Sequence, residues 1–569
     1  MKILSIHCGH DASAALVVDG KIVADVPEER FSRRKNERSF PHHSIDYCLQ
    51  RAGILSEEID CIALPEKKVS DLLRCALVMA TEHVAIEFNC GLPKEIRVRS
   101  GRSPLKIGLP FYFPALRLSP QCIFFLSGHH AAHAASAYYP SGIGTERALV
   151  VTLDGTGEGI STALWRAEQR KLHLLQSYGR ESSLGWFYSN VTEALGWQHG
   201  SDEWKVMGLA PYGVPKPGEL KGFYPEYKNG KLTREHKYSP FIPWDYSGTR
   251  HYHGGDTNAI AKIGGKLGRE GLAAEAQRVI EEQVSQLLFP WLDKEGTSIL
   301  LCAGGVFLNV KMNQFLWQSG KLSRHWIYPN PGDGGLAVGA ALLAHTTLCP
   351  EISCEPLPHI SFGPEFSSEE IRNVLSERGL LFKEILNPAE ATIPYLLENC
   401  VVGWFQGRME SGPRALGNRS ILMDPRSSKN KDLINSKIKF RESFRPFCPS
   451  VLAPMMHEYF INPYDERFMT TSFQVKDEYR KRMPAVVHVD GSARPQMVHK
   501  STHPLYYELI ERFGNATGVY ALLNTSFNIK GEPIVCSPRD ALRTFFDSGI
   551  DVLIIDKFVI EKPLRRSSD

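Results

Sequence analysis

No run in this chain approaches eighteen uninterrupted apolar residues, so no membrane-spanning helix is expected. Nor is there a CxxC pair. The 12 cysteines lie scattered without regular spacing, which argues against a disulfide frame or a zinc knuckle and for reduced thiols in a cytoplasmic protein. A basic leader with an apolar stretch is missing as well: Met1-Lys2-Ile3-Leu4-Ser5-Ile6 enters a strand pattern directly, and no signal peptide is expected. A strong excess of one charge is also absent. With 66 Lys and Arg against 63 Asp and Glu, the formal net charge is +3, which disfavours a polynucleotide partner. What is present is the composition of a globular protein, 43% hydrophobic and 23% charged over 569 residues, enough chain for more than one core.

The organising stretch is Ser127-Gly128-His129-His130-Ala131-Ala132-His133-Ala134-Ala135-Ser136-Ala137. Its alanines favour a helix, on which His129 and His133 share a face. Two readings stand for such a pair: a divalent metal held between the imidazoles, or half-buried histidines bonded to backbone.

Strands are expected at Lys2–Ile6, Ala14–Val18 and Lys21–Val26, with Asp19-Gly20 as a hairpin turn and the polar turn Gly9-His10-Asp11-Ala12-Ser13 between the first two. The same arrangement recurs at Ala148–Leu153 and Ile160–Trp165, joined by Asp154-Gly155-Thr156-Gly157-Glu158-Gly159. Two strand–acidic turn–strand copies predict a duplicated fold, whose turns can face a shared cleft and offer N–H groups to phosphate. The charged run Glu28–Lys35 reads as a solvated face. Helices are expected over 43–54, 70–83 and 270–293, and irregular chain over 93–119 and 215–255. Lys205, beside glycine-bearing chain that includes Gly208, reads either as a phosphate contact or as a surface lysine. Gly304-Gly305, after the strand 298–301 and before Asn309, admits close approach of a ligand. Asp333, at the start of a small-residue helix over 336–344, is an N-cap or a further metal ligand. The proline-rich segment 349–366 is the best linker.

Beyond it the texture changes. Residues 408–445 hold six arginines and four lysines against four acids, interleaved with Gly, Ser and Pro. That pattern reads as an anion pocket or a basic surface patch, and not as an amphipathic helix. Arg494 and the stretch Asn524-Thr525-Ser526-Phe527-Asn528 add groups suited to a phosphate and a small planar amide.

Together and in this order, HDASAAL (His10–Leu16), EERFSRRK, HHAAHAASA, LDGTGE, EWKVMGLAPYG, GGVFLN, GDGG, GPRALGNRS, FRPF, VDGSARPQ and NTSFN resemble the NodU/CmcH family of O-carbamoyltransferases nearly from end to end. The resemblance implies an α/β protein: an ASKHA (actin-like, TsaD-type) duplicated domain over 1–354, followed by a YrdC-like α/β domain over 355–569. It implies that the second domain makes carbamoyladenylate from ATP, with Mg, and carbamoyl phosphate. The first domain would then transfer the carbamoyl group to a hydroxyl of a small molecule. By the same resemblance His129, His133, Asp154 and Asp333 match a metal site, iron in relatives, with Fe(II) or another divalent ion expected here. Arg414, Lys439, Arg445, Arg494, Asn524, Ser526 and Asn528 match the carbamoyl phosphate and ATP site. Gly155, Gly157, Glu158, Lys205, Gly208, Gly304, Gly305 and Asn309 are assigned to the nucleotide of the first domain. His10, Asp11 and His130 are assigned to transfer, with His10 as general base.

The residue types suit this chemistry. Carbamoyl phosphate and ATP gather negative charge that guanidinium groups suppress bidentately, and a labile adenylate favours a closed path. A histidine in a polar turn can take an alcohol proton, and a His-held metal can act as a Lewis acid. Two other readings are a fused tRNA threonylcarbamoyl-adenosine enzyme, disfavoured by the weak charge, and an actin-like ATP-binding regulator without chemistry. The acceptor class (aminoglycoside, macrolide, cephem, peptide antibiotic or oligosaccharide) is left open, and a homodimer is the default assembly.

Overall fold

Residues Lys2–His7 (β1), Ser13–Val18 (β2) and Lys21–Pro27 (β3) are apolar and largely buried, and they pair as an antiparallel meander. Asp19 and Gly20 turn β2 into β3 with φ of 48° and 81°, the left-handed pair a tight hairpin requires. This computed structural model describes residues 1–65, 86–88, 96–99, 105–107, 116, 118–119, 121–240, 252–442 and 444–562. The helix expected over 70–83, most of the loop over 93–119 and residues 241–251 lie outside them. The fold is mixed α/β.

The chain divides into two units: Met1–Glu28 with Asn36–Leu357, and Glu29–Lys35 with Pro358–Asp569. A contiguous cut after 354 therefore misses a seven-residue piece near the N-terminus. The reason is physical, and it corrects the reading of this run as a solvated face. Arg30 is buried and donates to the Gly412 carbonyl at 2.8 Å, while Arg33 donates to the carbonyls of Ile534 and Pro533 at 2.7 and 2.8 Å.

In the first unit, β1 pairs in parallel with Cys61–Leu64 (β4), and Ile96–Arg99 (β5) lies antiparallel to Ile123–Leu126 (β6), which is parallel to β4. The sheet order is β3-β2-β1-β4-β6-β5. A second sheet repeats it. Ala148–Gly157 (β7), Ile160–Glu168 (β8) and Lys171–Gly179 (β9) form a meander, and Ile299–Ala303 (β10) and Arg324–Ile327 (β11) add in parallel. The order β9-β8-β7-β10-β11 matches β3-β2-β1-β4-β6 in position and direction, so the repeat read from the two acidic turns is present.

Helix α1 covers His42–Ala52 and packs on the first sheet; α2 covers His129–Tyr138. Further along come α3 (Leu184–Ala194), α4 (Glu203–Leu209), α5 (Gly254–Glu295), α6 (Val310–Gln318) and α7 (Leu336–Leu348). Helix α5 is broken at Gly268, where φ is 75°, so its second part matches the helix expected over 270–293. Helices α2 and α7 meet backbone to backbone: a methyl group on Gly339 would lie 1.9 Å from the Ala132 carbonyl oxygen. Small residues on both helices allow that approach and so fix where the α2 histidines lie.

The second unit is built on one eight-stranded sheet: Lys383–Glu384 (β12), Val402–Phe405 (β13), Arg419–Met423 (β14), Cys448–Leu452 (β15), Gln496–Val498 (β16), Ala521–Ser526 (β17), Val552–Ile555 (β18) and Phe558–Glu561 (β19). Their order is β12-β19-β18-β13-β14-β17-β15-β16. Pro388–Leu397 (α8) and Pro504–Thr517 (α9) pack over a core that includes Trp404, Leu422, Leu509 and Phe513. No helix among the described residues is long and apolar enough to cross a membrane.

Candidate functional site

In the first unit, α2 delivers His129 and His133 from one face, β7 delivers Asp154 at its end, and the turn before α7 delivers Asp333. One donor atom from each of the four lies within 4.8 Å of the others. Nε2 of His129 is 2.9 Å from Asp154 and 3.8 Å from Asp333; Nε2 of His133 is 3.6 and 3.7 Å from the same carboxylates. Burial disfavours the charged form of Asp154, yet the two imidazoles hold its carboxyl well below the usual range. His133 is fully buried, and among the described residues neither ring nitrogen has a hydrogen-bond partner. A fully enclosed imidazole without a partner, facing two carboxylates, fits a cation coordinated by all four. The His/carboxylate donor set accepts Fe, Mn or Zn.

Glu158 lies beside this set, its carboxylate accepting the N–H of His129 at 3.3 Å at the start of α2, where negative charge is favoured. Gly157 is fixed by packing: a methyl group there would lie 2.0 Å from the His129 ring. A methyl on Gly305 would lie 3.1 Å from Asp154 Oδ1.

Other assignments need correction. The N–H of Gly155 is taken by Asp154 Oδ1 at 2.8 Å and that of Gly304 by the Pro331 carbonyl at 2.6 Å, so neither is open to phosphate. Gly304 is glycine because its φ is 100° and a side chain would strike the Leu153 carbonyl. Lys205 ion-pairs with Asp202 at 3.0 Å. Gly208 is inside α4, where backbone N–H groups serve the helix. Asn309 caps α6 and exchanges two amide hydrogen bonds with Gln277, at 2.9 and 3.1 Å, which makes it a packing residue. His130 points away from the acidic set. Its ring nitrogens meet Thr152 Oγ1 at 2.7 Å and the Ile160 carbonyl at 2.9 Å, and burial with the neighbouring histidines pushes its pKa down to about 3, a poor setting for proton transfer.

His10 and Asp11 sit in the turn after β1. Nδ1 of His10 is 3.0 Å from Asp11, and Asp11 also accepts from Asn36 at 2.8 Å. Burial opposes the charged ring, but the hydrogen bond and charge of Asp11 outweigh it and raise the His10 pKa, while Asp11 is lowered. That pairing favours an imidazolium, which donates, over the general base expected from the sequence.

In the second unit the cations converge. Arg494 donates to Cys448 Sγ through Nε and Nη2, at 3.1 and 2.9 Å. Arg414, intermediate in exposure, has its pKa pushed down to about 9 by burial and by the charge of Arg494. Arg441, over the Phe447 ring, is likewise pushed down to about 9 by burial and by Arg445. Lys439 is buried, and burial followed by Arg441 and Arg445 drives its pKa far below normal. Among the described residues, Glu442 is a neighbouring carboxylate, 3.5 Å from Arg445. Arginines this crowded and half-desolvated mark an anion site.

Two assignments here change meaning. Lys439 spends its ammonium on the carbonyls of Ser526 and Asn528, at 2.6 and 2.9 Å, and on Asn528 Oδ1 at 2.7 Å, so it braces that loop. Ser526 also donates to Asn528 Oδ1 at 2.7 Å. Asn524 is buried and donates to the Ala415 carbonyl and Ser450 Oγ, both at 3.0 Å, which ties down the Arg414 loop and leaves no amide hydrogen for a ligand. Sequence reasoning missed Glu410. Its buried carboxylate accepts the N–H groups of Leu416 and Asn418 at 2.7 and 2.8 Å and shapes the loop that carries Arg414.

Comparison with known proteins bears on both units. Residues 2–342 match a family model described as Carbamoyltransferase N-terminus, and residues 394–562 one described as Carbamoyltransferase C-terminus. An uncharacterized protein of Synechocystis sp. is 36% identical, over 97% of this chain and 95% of its own. Nodulation protein NolNO of Sinorhizobium fredii is 34% identical over 97% of this chain and 79% of its own, and nodulation protein NolO of Bradyrhizobium diazoefficiens is 35% identical over 76% and 78%. Among solved structures, full-length HypF in a phosphate- and nucleotide-bound form covers 61% of this chain and 56% of its own, at 12% identity and a TM-score of 0.35.

Proposed function

The chain belongs to the carbamoyltransferase family, and on that premise we propose that it is an ATP-dependent O-carbamoyltransferase. Its second unit, read as a YrdC-like domain, makes carbamoyladenylate from carbamoyl phosphate and ATP with Mg. Its first unit, read as an ASKHA-type duplicated domain, passes the carbamoyl group to a hydroxyl of a small-molecule natural product. The observation that carries this reading is the joint presence of a crowded, half-desolvated arginine cluster in one unit and a His/Asp donor set in the other.

In the second unit Arg414 and Arg494 hold the anionic phosphates of the two substrates against their mutual repulsion. Water splits carbamoyl phosphate into carbamate and inorganic phosphate, a carbamate oxygen attacks the α-phosphorus of ATP, and the α–β phosphoanhydride bond breaks to release pyrophosphate, which stays on the same guanidinium groups. Arg445 extends that field. In the first unit His129, His133, Asp154 and Asp333 would hold a divalent metal, which would supply Lewis acidity there. His10, charged and oriented by Asp11, donates to an oxygen of the reacting group. The protein works as a cytoplasmic enzyme, with a homodimer as its default assembly and no nucleic acid or membrane partner. The test is mass spectrometry of candidate acceptors incubated with the protein, ATP and carbamoyl phosphate. An added carbamoyl mass on a hydroxyl compound is expected. ATP-independent transfer, or pyrophosphate release that ignores carbamoyl phosphate, contradicts the reading.

A further inference from the structure

A second carboxylate–histidine pair lies beside His10. Glu193, near the end of α3, has a side chain 3% exposed, and one of its oxygens lies 2.5 Å from Nδ1 of His199. The same carboxylate accepts the backbone N–H of Tyr252 at 2.7 Å and the Thr257 hydroxyl at 3.1 Å, so it is held from three directions. The ring of His199 also stacks on Tyr252, with centroids 4.5 Å apart. With Nδ1–H donating to Glu193, Nε2 is the ring nitrogen left to carry a lone pair. Among the described residues, that nitrogen has no hydrogen bond.

The next residue lies close to His10. A methyl group on Gly200 would lie 3.9 Å from Nε2 of His10. Tyr252 leads back to the other wall of the site: its ring is 5.8 Å from that of Trp186, and a methyl on Gly155, next to Asp154, would be 3.3 Å from Trp186. The chain thus runs from Asp154 and Gly155 through Trp186, Tyr252, His199 and its neighbour Gly200 to His10.

We propose that His199, aimed by Glu193, is a second catalytic residue of the transfer half-reaction and takes the proton of the acceptor hydroxyl; the proposal rests on the carbamoyl-transfer reading. The acceptor O–H bond breaks and its proton goes to Nε2 of His199. The oxygen bonds to the carbamoyl carbon, and the carbon–oxygen bond to the AMP phosphate breaks, AMP leaving with the electron pair. His10, favoured in its charged form by Asp11, serves as donor, so the two imidazoles divide work that one could not do in a single protonation state.

The test uses the full-length protein with ATP and carbamoyl phosphate and two probes: glycerol, an alcohol that must lose a proton as it attacks, and hydroxylamine, which attacks as a neutral amine without a base. Carbamoylglycerol and hydroxyurea are quantified by mass spectrometry. In His199→Ala the alcohol product is expected to fall on the order of 10²-fold relative to the hydroxylamine product. Added imidazole restores part of it, and Glu193→Gln lowers the same ratio less. An unchanged ratio in His199→Ala, or an equal loss of both products without imidazole rescue, overturns the assignment. Absence of both products from the wild-type protein, with no pyrophosphate released, overturns the proposed function along with it.

Discussion

Arg494 sets two guanidinium nitrogens, Nε and Nη2, 3.1 and 2.9 Å from the sulfur of Cys448. Held at this sulfur, Arg494 lies within the electrostatic field of Arg414. Cys448→Leu removes the acceptor and presents an apolar branch instead. The KM for carbamoyl phosphate in pyrophosphate release should rise on the order of tenfold, while Cys448→Ser, which still accepts a hydrogen bond, should stay near wild type. Steady-state kinetics on the three proteins decides it.

Glu410 holds the loop that presents Arg414. Glu410→Ala leaves the N–H groups of Leu416 and Asn418 without their acceptor, and each such group costs about 1–3 kcal/mol when buried. Urea unfolding should show a loss of about 2–4 kcal/mol, and Glu410→Gln, which keeps one acceptor oxygen, about half of that. Equal midpoints for all three proteins would contradict the role.

Much of this was legible from the residues. Strand–turn–strand patterns announced the twofold repeat because side chains alternate with period two whatever their partners. The spacing of His129 and His133, four apart, put both rings on one helix face because the helix turns every 3.6 residues. Charge could not be read that way. Nothing local distinguishes Arg33, spent on the Pro533 and Ile534 carbonyls, from a solvated arginine, because its acceptors lie five hundred residues along the chain. Glu410 and Glu193 were missed on the same ground: a carboxylate's meaning lies in what it accepts. Glycines misled in the other direction, since Gly157 and Gly304 are small to admit a ring and a carbonyl and not a phosphate.

The His/Asp set makes a direct prediction about metal content. His133→Ala removes a ligand whose ring nitrogens have no hydrogen-bond partner among the described residues, so bound divalent metal, measured by plasma mass spectrometry after gel filtration, should drop from about one ion per chain to a small fraction. Carbamoyl-phosphate-dependent pyrophosphate release should persist. Undiminished metal in the variant would contradict the site.

Acid stability has a predictable sign at His325. The unfolded ring takes a proton near 6.5, whereas burial lowers the folded pKa to about 3. The unfolded state therefore binds the extra proton between those values, and stability is lost as pH falls through that window; well above 6.5 the effect is absent. Urea midpoints should decline from pH 7 to pH 4 in the wild type and less steeply in His325→Leu. Parallel slopes would show that other groups govern the decline.

The most direct test of two separate chemistries in one chain is pyrophosphate release and acceptor carbamoylation measured side by side in Arg414→Ala and His10→Ala. The account predicts that Arg414→Ala loses both, because no adenylate forms, while His10→Ala keeps carbamoyl-phosphate-dependent pyrophosphate release and loses carbamoylation. Full pyrophosphate release by Arg414→Ala, or its loss in a folded His10→Ala protein, would contradict it.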